Sequence, residues 1–160
     1  MIELEELLRR DAPALNSDCL KLHFVTPTRL KFEGTLSPKL EFHILIRNLL
    51  RRISLLSYFH CGEELTLDFK GLIESSKGIE VEKEDLTWFD WERYSNRQET
   101  RMKLGGFAGE VTFRGGFDAF MPFLLLGQYI HVGKGTSFGL GKYRILAQAG
   151  CFGDVKLRLR

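Results

Sequence analysis

Four glycines fall within nine residues of this 160-residue chain: Gly133, Gly135, Gly139 and Gly141 of HVGKGTSFGLGKYRI, residues 131–145. Lys134, Lys142 and Arg144 punctuate them. Glycine admits positive φ and lets a second backbone approach closely. Such a loop can turn its N–H groups toward an anion that the neighbouring cations attract. Order limits the folds it can belong to. An apolar, helix-like run precedes it and a strand-like run follows. The Walker loop and the dinucleotide fingerprint both need strand, loop and helix, in that order. Spacing excludes them as well. No Gly-Lys-Ser/Thr occurs here, and Phe138 stands where the dinucleotide pattern has its third glycine. The segment is an anion-holding loop of another kind or a tight turn between packed elements.

Hydrophobic periodicity orders the rest. Leu20, Leu22 and Phe24 alternate with Lys21 and His23, the pattern of a half-buried strand. Thr26-Pro27 interrupts it, and Leu30 and Phe32 resume it. Ser37-Pro38 offers a helix start, with serine as N-cap and proline in the first turn. Phe42, Leu45, Ile46, Leu49, Ile53 and Leu56 then follow at helical spacing, and Gly62 supplies a stop. A short strand over residues 65–69 and a charged turn at 75–78 come next. Residues 86–94 and 102–113 read as the arms of a long hairpin. Its connection, RYSNRQETRMK, carries Arg93, Arg97, Arg101 and Lys103. Asp118 marks the cap of a helix reaching Ile130, with Pro122 in its first turn. Residues 142–148 form the last strand, after the glycine loop.

The order strand, helix, strand, strand, helix, strand predicts an α+β chain of the ferredoxin-like, split βαβ type. It builds a four-stranded antiparallel sheet with two helices on one face. The other face is open to a partner, as in modules that bind single-stranded RNA. Residues 1–18 read as an N-terminal segment or linker, 19–149 as the domain with its glycine-rich loop at 133–141, and 150–160 as a tail.

Composition narrows the class. A hydrophobic share of 44% is ample for one core, and a net charge of +2 says little about partners. Cys19, Cys61 and Cys151 are odd in number and widely spaced, so no disulfide framework is expected. His60-Cys61 lacks companions at ligand spacing, so no metal site is expected, and no cofactor motif is present. No secretory signal and no run of about 18 apolar residues is visible, which points to a cytoplasmic protein without a membrane span.

Four segments carry a family resemblance: TPTRLK (26–31), WERYSNRQ (91–98), LGGFAGEVTFRG (104–115) and HVGKGTSFGLGKYRI. The chain resembles the C-terminal domain of the CRISPR-associated endoribonucleases that cut repeat RNA, the Cas-six family of the RAMP superfamily. That superfamily carries a glycine-rich loop between its last helix and last strand. Its members usually hold two ferredoxin-like domains in tandem, and the match here is to the second. The resemblance implies a CRISPR RNA-binding domain, the C-terminal half of a metal-independent endoribonuclease that processes repeat RNA into guide RNAs. In that reaction a ribose 2′-hydroxyl attacks the adjacent phosphate. The general-base histidine often lies on a helix of the first domain, so this chain alone is expected to lack it. A non-catalytic RAMP subunit of a CRISPR effector complex is the alternative. Implied partners are CRISPR repeat RNA, an N-terminal ferredoxin-like domain or other Cas proteins, and a second copy in a homodimer.

RNA contacts are expected from Gly133, Lys134, Gly135, Gly139, Gly141, Lys142 and Arg144 in the loop, and from Arg97, Arg101 and Lys103 in the hairpin. Such cations supply salt-dependent affinity more than sequence choice. The hairpin also reads as a simple solvated turn. None of His23, His43, His60 and His131 earns a catalytic assignment. His43 shares a helix face with Arg47 and Arg51, and His131 suits a helix C-cap, where imidazolium meets the dipole. Phe107, Val111 and Phe113 are expected in the core.

Overall fold

The computed structural model describes residues 18–90, 92–95 and 100–146, with the backbone alone for 93–95 and 100–103. Residues 1–17 of the N-terminal segment, Trp91, Arg97 and the tail lie outside the described residues.

Alternation makes the first strand, β1 (Cys19–Thr28), which buries Leu20, Leu22 and Phe24. Its pairing shifts register between Phe24 and Thr28, where Pro27 cannot donate. A tight two-residue ribbon follows, β2 (Lys31–Phe32) against β3 (Thr35–Leu36). Helix α1 (Phe42–Leu56) presents Phe42, Leu45, Ile46, Leu49 and Ile53 to the core. A π-helical turn (Ser57–Cys61) extends it, and Gly62 closes that turn in the left-handed region at φ 69°. Helix α2 (Phe69–Ser76) leads into the edge strand β4 (Glu80–Phe89). The ribbon β5 (Glu92–Ser95) and β6 (Thr100–Lys103) continues outward as a separate two-stranded sheet. The chain returns as β7 (Gly106–Arg114), crosses in α3 (Met121–Ile130) and ends the sheet with β8 (Tyr143–Leu146).

The main sheet runs β4-β7-β1-β8, each neighbour antiparallel. This is the ferredoxin-like arrangement. Leu20 sits opposite Phe113 and Leu22 opposite Val111, and all four are buried. Phe42 of α1 meets Phe113, Phe117 and Phe120 edge-on, with ring centroids 5.1–5.6 Å apart. Edge-to-face contacts place the positive ring rim on the negative face, which adds about 0.5–1.5 kcal/mol per pair to simple burial. Phe107, Val111 and Phe113 are core residues, as their pattern predicts. The far face of the sheet carries Lys21, His23, Glu110 and Arg144.

Three local readings are corrected. The first helix does not start at Ser37: its hydroxyl donates to the Lys39 carbonyl, and α1 begins five residues later with Glu41 at the N-cap. Leu40, 3% exposed, is anchored in the core, and that burial outweighs the cap signal. Residues 65–69 are not a strand. The Asp68 carboxylate accepts the Gly71 N–H at 2.9 Å and starts α2, which packs Phe69, Leu72 and Ile73 against the core. Asp118 does not cap α3. The buried Phe117 carbonyl accepts the N–H groups of Phe120 and Met121, and the helix begins after that turn.

Candidate nucleic-acid interface

The glycine loop is docked on the exit of β1. The Lys134 N–H donates to the Arg29 carbonyl at 2.9 Å, and the Gly141 N–H to the Pro27 carbonyl at 3.0 Å. The Thr26 hydroxyl donates to the Gly139 carbonyl and accepts the Lys142 N–H, both at 2.9 Å. Two glycines are required by contact. Gly133 has φ +85°, and a Cβ there would collide with the Arg29 carbonyl. Gly141 has φ +75°, and a Cβ there would collide with the Val132 carbonyl. The N–H groups of Lys134, Phe138, Gly139, Leu140, Gly141 and Lys142 are all donated within the protein. Those N–H groups are therefore not free to face an anion.

The Lys134 side chain meets others from two further elements. A groove of about 420 Å³ is lined by Lys31 after β1, Asn48, Arg51 and Arg52 on α1, and Gly133 and Lys134 in the loop. Leu55, Leu56, Phe59 and His60 complete its wall. No carboxylate stands among the described residues that line it. The Asn48 amide clamps β2 to α1, accepting the Lys31 N–H at 3.3 Å and donating to the Lys31 carbonyl at 3.0 Å. Arg52 Nε donates to the Ile130 carbonyl at 2.7 Å and ties α1 to the end of α3, just before the loop. Lys134 is held below the ordinary lysine value. The adjacent Lys31 ammonium does this most; desolvation, Arg29 and Arg51 add to it. Lys31, Arg29 and Arg51 are thus held close enough to Lys134 to oppose its charge.

A family model for the CRISPR-associated endoribonuclease Cas6 matches residues 22–143. The chain belongs to the Cas6 family. No curated protein matches the sequence. A Thermus thermophilus Cas6 superposes with a TM-score of 0.66 at 20% identity, over 90% of this chain and 58% of its own. A Cas6 substrate mimic complex gives 0.52 at 25% identity, over 89% and 57%. A partial Cas6-RT-Cas1–Cas2 complex gives 0.61 at 20% identity, over 91% and 26%. The chain spans rather more than half the length of the Cas6 structures it matches.

Within this Cas6 domain the expected RNA-binding residues fall into separate places. Gly133 and Lys134 line the groove. Gly135 and Gly139 flank a 3-10 turn, Thr136–Phe138. Lys142 immediately precedes β8, its carbonyl accepting from Val25 and Thr26. Arg144 lies on the far face of the sheet, opposite His23. The backbones of Arg101 and Lys103 lie in β6 of the outer ribbon.

The histidines also separate. His131 is the C-cap of α3, and its Nδ1 meets the Leu140 carbonyl at 3.2 Å. His43 pairs with Glu41 at 2.7 Å and stands edge-on to Phe32. His23 neighbours Glu110 across the sheet, and Lys21 hydrogen bonds that carboxylate and lowers its pKa. His60 is on the groove wall. Among the described residues no three His, Cys, Asp or Glu side chains converge as a metal site, and no helix is long and apolar enough to cross a membrane. Sequence reasoning did not join Arg29, Lys31 and Arg51 to Lys134. The sequence signals for it are the two cations of TPTRLK and the four-residue step from Arg47 to Arg51.

Proposed function

We propose that this chain is the CRISPR RNA-binding half of an endoribonuclease that processes repeat RNA into guide RNAs, acting in the cytoplasm. A second ferredoxin-like domain or another Cas protein completes it and supplies the main acid–base chemistry. One observation carries the reading: Lys31, Arg51 and Lys134 line one groove, and Lys31, Arg29 and Arg51 all oppose the Lys134 charge. A polyanion relieves that repulsion and releases its own counterions on binding. Arginine offers a planar fork to phosphate oxygens, and lysine a point charge. Cations beside a scissile phosphate also stabilise the charge that grows as a 2′-hydroxyl attacks, provided the nucleophile is held in line. The hairpin cations Arg97, Arg101 and Lys103, together with Lys142 and Arg144, supply further backbone contacts in this reading.

The test is a titration of labelled repeat RNA at two or more salt concentrations, with Lys134→Ala and Arg51→Ala beside the unaltered chain. The expected result is salt-sensitive binding, weakened by both substitutions, each lowering the salt slope by about one. Binding that ignores salt and both substitutions overturns the assignment. Product ends on any cleaved RNA separate this reading from a non-catalytic RAMP subunit, which leaves the RNA intact when the partner domain is restored.

A further inference from the structure

The groove has a feature that charge does not explain. Past Leu56, α1 widens into the π-helical turn Ser57–Cys61, none of whose residues is buried. Such turns re-aim the side chains they carry and recur at functional sites. Here the turn leaves Phe59 72% exposed and Tyr58 59% exposed. Phe59 forms part of the wall that Lys31, Arg51 and Lys134 also line. Tyr58 stands edge-on to Phe59, with ring centroids 5.2 Å apart and planes at 85°. Burying a phenyl ring is favourable, so a ring left in water beside a cationic groove forgoes that gain in the free protein.

We propose that Phe59 is a stacking platform for an unpaired nucleobase whose flanking phosphates lie against Lys31, Arg51 and Lys134. This rests on the RNA-binding reading above and deepens it, assigning the groove to single-stranded rather than paired RNA. Cations alone accept any polyanion. An aromatic face beside them rewards a base that has left its stack, and every base has such a face. In a duplex the base faces are covered by their neighbours, so Phe59 adds nothing to stem binding. The edge-on Tyr58 limits the directions in which the Phe59 ring can turn and leaves a face for the ligand.

The test uses the full chain, a short unstructured oligoribonucleotide carrying one 2-aminopurine, and a duplex of the same length. Phe59→Ala, Phe59→Tyr and Lys134→Ala are compared with the unaltered chain, and thermal unfolding verifies that each is folded. Phe59→Ala is expected to weaken single-strand binding about five- to a hundredfold and to abolish 2-aminopurine quenching. Duplex affinity and the salt slope should stay unchanged, and Phe59→Tyr should bind as the unaltered chain does. Unaltered single-strand binding by Phe59→Ala, with Lys134→Ala weakened, overturns the inference while leaving RNA binding in place. Equal losses for single strand and duplex overturn it too, and mark Phe59 as a packing or protein-docking residue. No effect of Lys134→Ala on either RNA overturns the RNA reading itself.

Discussion

The main-chain N–H of Lys134 donates to the carbonyl of Arg29 at 2.9 Å, and this bond sets the loop's cation beside those that leave β1. More than a hundred residues separate the two in the chain. The bond forms only because position 133 has no side chain.

Gly133→Ala should therefore be costly in two ways. An L-residue at φ +85° is strained by about 1–2 kcal/mol, and the new Cβ meets the Arg29 carbonyl. Gly139→Ala is the control: its φ is +82°, but a Cβ there has nothing within 4 Å. Denaturant unfolding is expected to show a larger loss for Gly133→Ala, accompanied by weaker RNA binding. Equal losses would mean that the Arg29 contact contributes nothing.

Removing one of the crowded cations should separate stability from binding. Lys134→Gln takes away the charge that Lys31, Arg29 and Arg51 oppose. Its melting temperature at low salt is expected to equal or exceed that of the unaltered chain, while RNA affinity falls. The difference in melting temperature should shrink as salt is added, because screening already weakens repulsion between exposed charges.

The same repulsion dictates a pH dependence. Lys134 binds its proton less tightly in the folded chain than the ordinary value of 10.5 allows. The unfolded state thus holds more protons in the window between the two values. The repulsive penalty is fully present below the lowered folded value and gone above the ordinary one, so stability gains as pH rises through that window. RNA favours the charged lysine, so binding takes up protons there and weakens as pH rises. Unfolding and binding measured against pH should show both trends in the unaltered chain, and a smaller one in Lys134→Gln.

A buried contact beneath the loop should respond as a pair. The fully buried Tyr143 hydroxyl donates to the Leu124 carbonyl at 2.6 Å, and burial holds the phenol far above its ordinary pKa. Tyr143→Phe is expected to cost about 1 kcal/mol. A Cβ at Gly127 would run into that hydroxyl and lie 2.8 Å from the Leu49 methyl carbon Cδ1. Gly127→Ala should cost about 1–3 kcal/mol through overpacking, although alanine is otherwise the better helix former. The double variant should lose less than the sum, because removing the hydroxyl relieves part of the clash.

Local pattern was enough where one periodicity met one buried face. Leu20, Leu22 and Phe24 alternate and lie inward; Phe42 to Ile53 keep helical spacing and form the stripe of α1. With β7 and the glycine loop placed in order, these elements imply the ferredoxin-like sheet. The sequence pattern misled where two local signals competed. Leu65, Leu67 and Phe69 alternate like a strand, while Asp68 with Phe69, Leu72 and Ile73 suits a short helix, and packing on the core decided for the helix. Ser37 and Asp118 are good caps by type, yet Leu40 and Phe117 are buried just beside them and move the helix starts onward.

The sequence by itself determined which residues carry charge, which segments alternate and where a glycine loop must fall. Tertiary structure alone decided that Lys134 joins Arg29, Lys31 and Arg51 while Arg144 turns to the far face of the sheet. The physical reason is range. Periodicity reports which face of its own element a side chain occupies. The meeting of four cations depends instead on bonds between distant segments: Lys134 to Arg29, Gly141 to Pro27, Asn48 to Lys31 and Arg52 to Ile130.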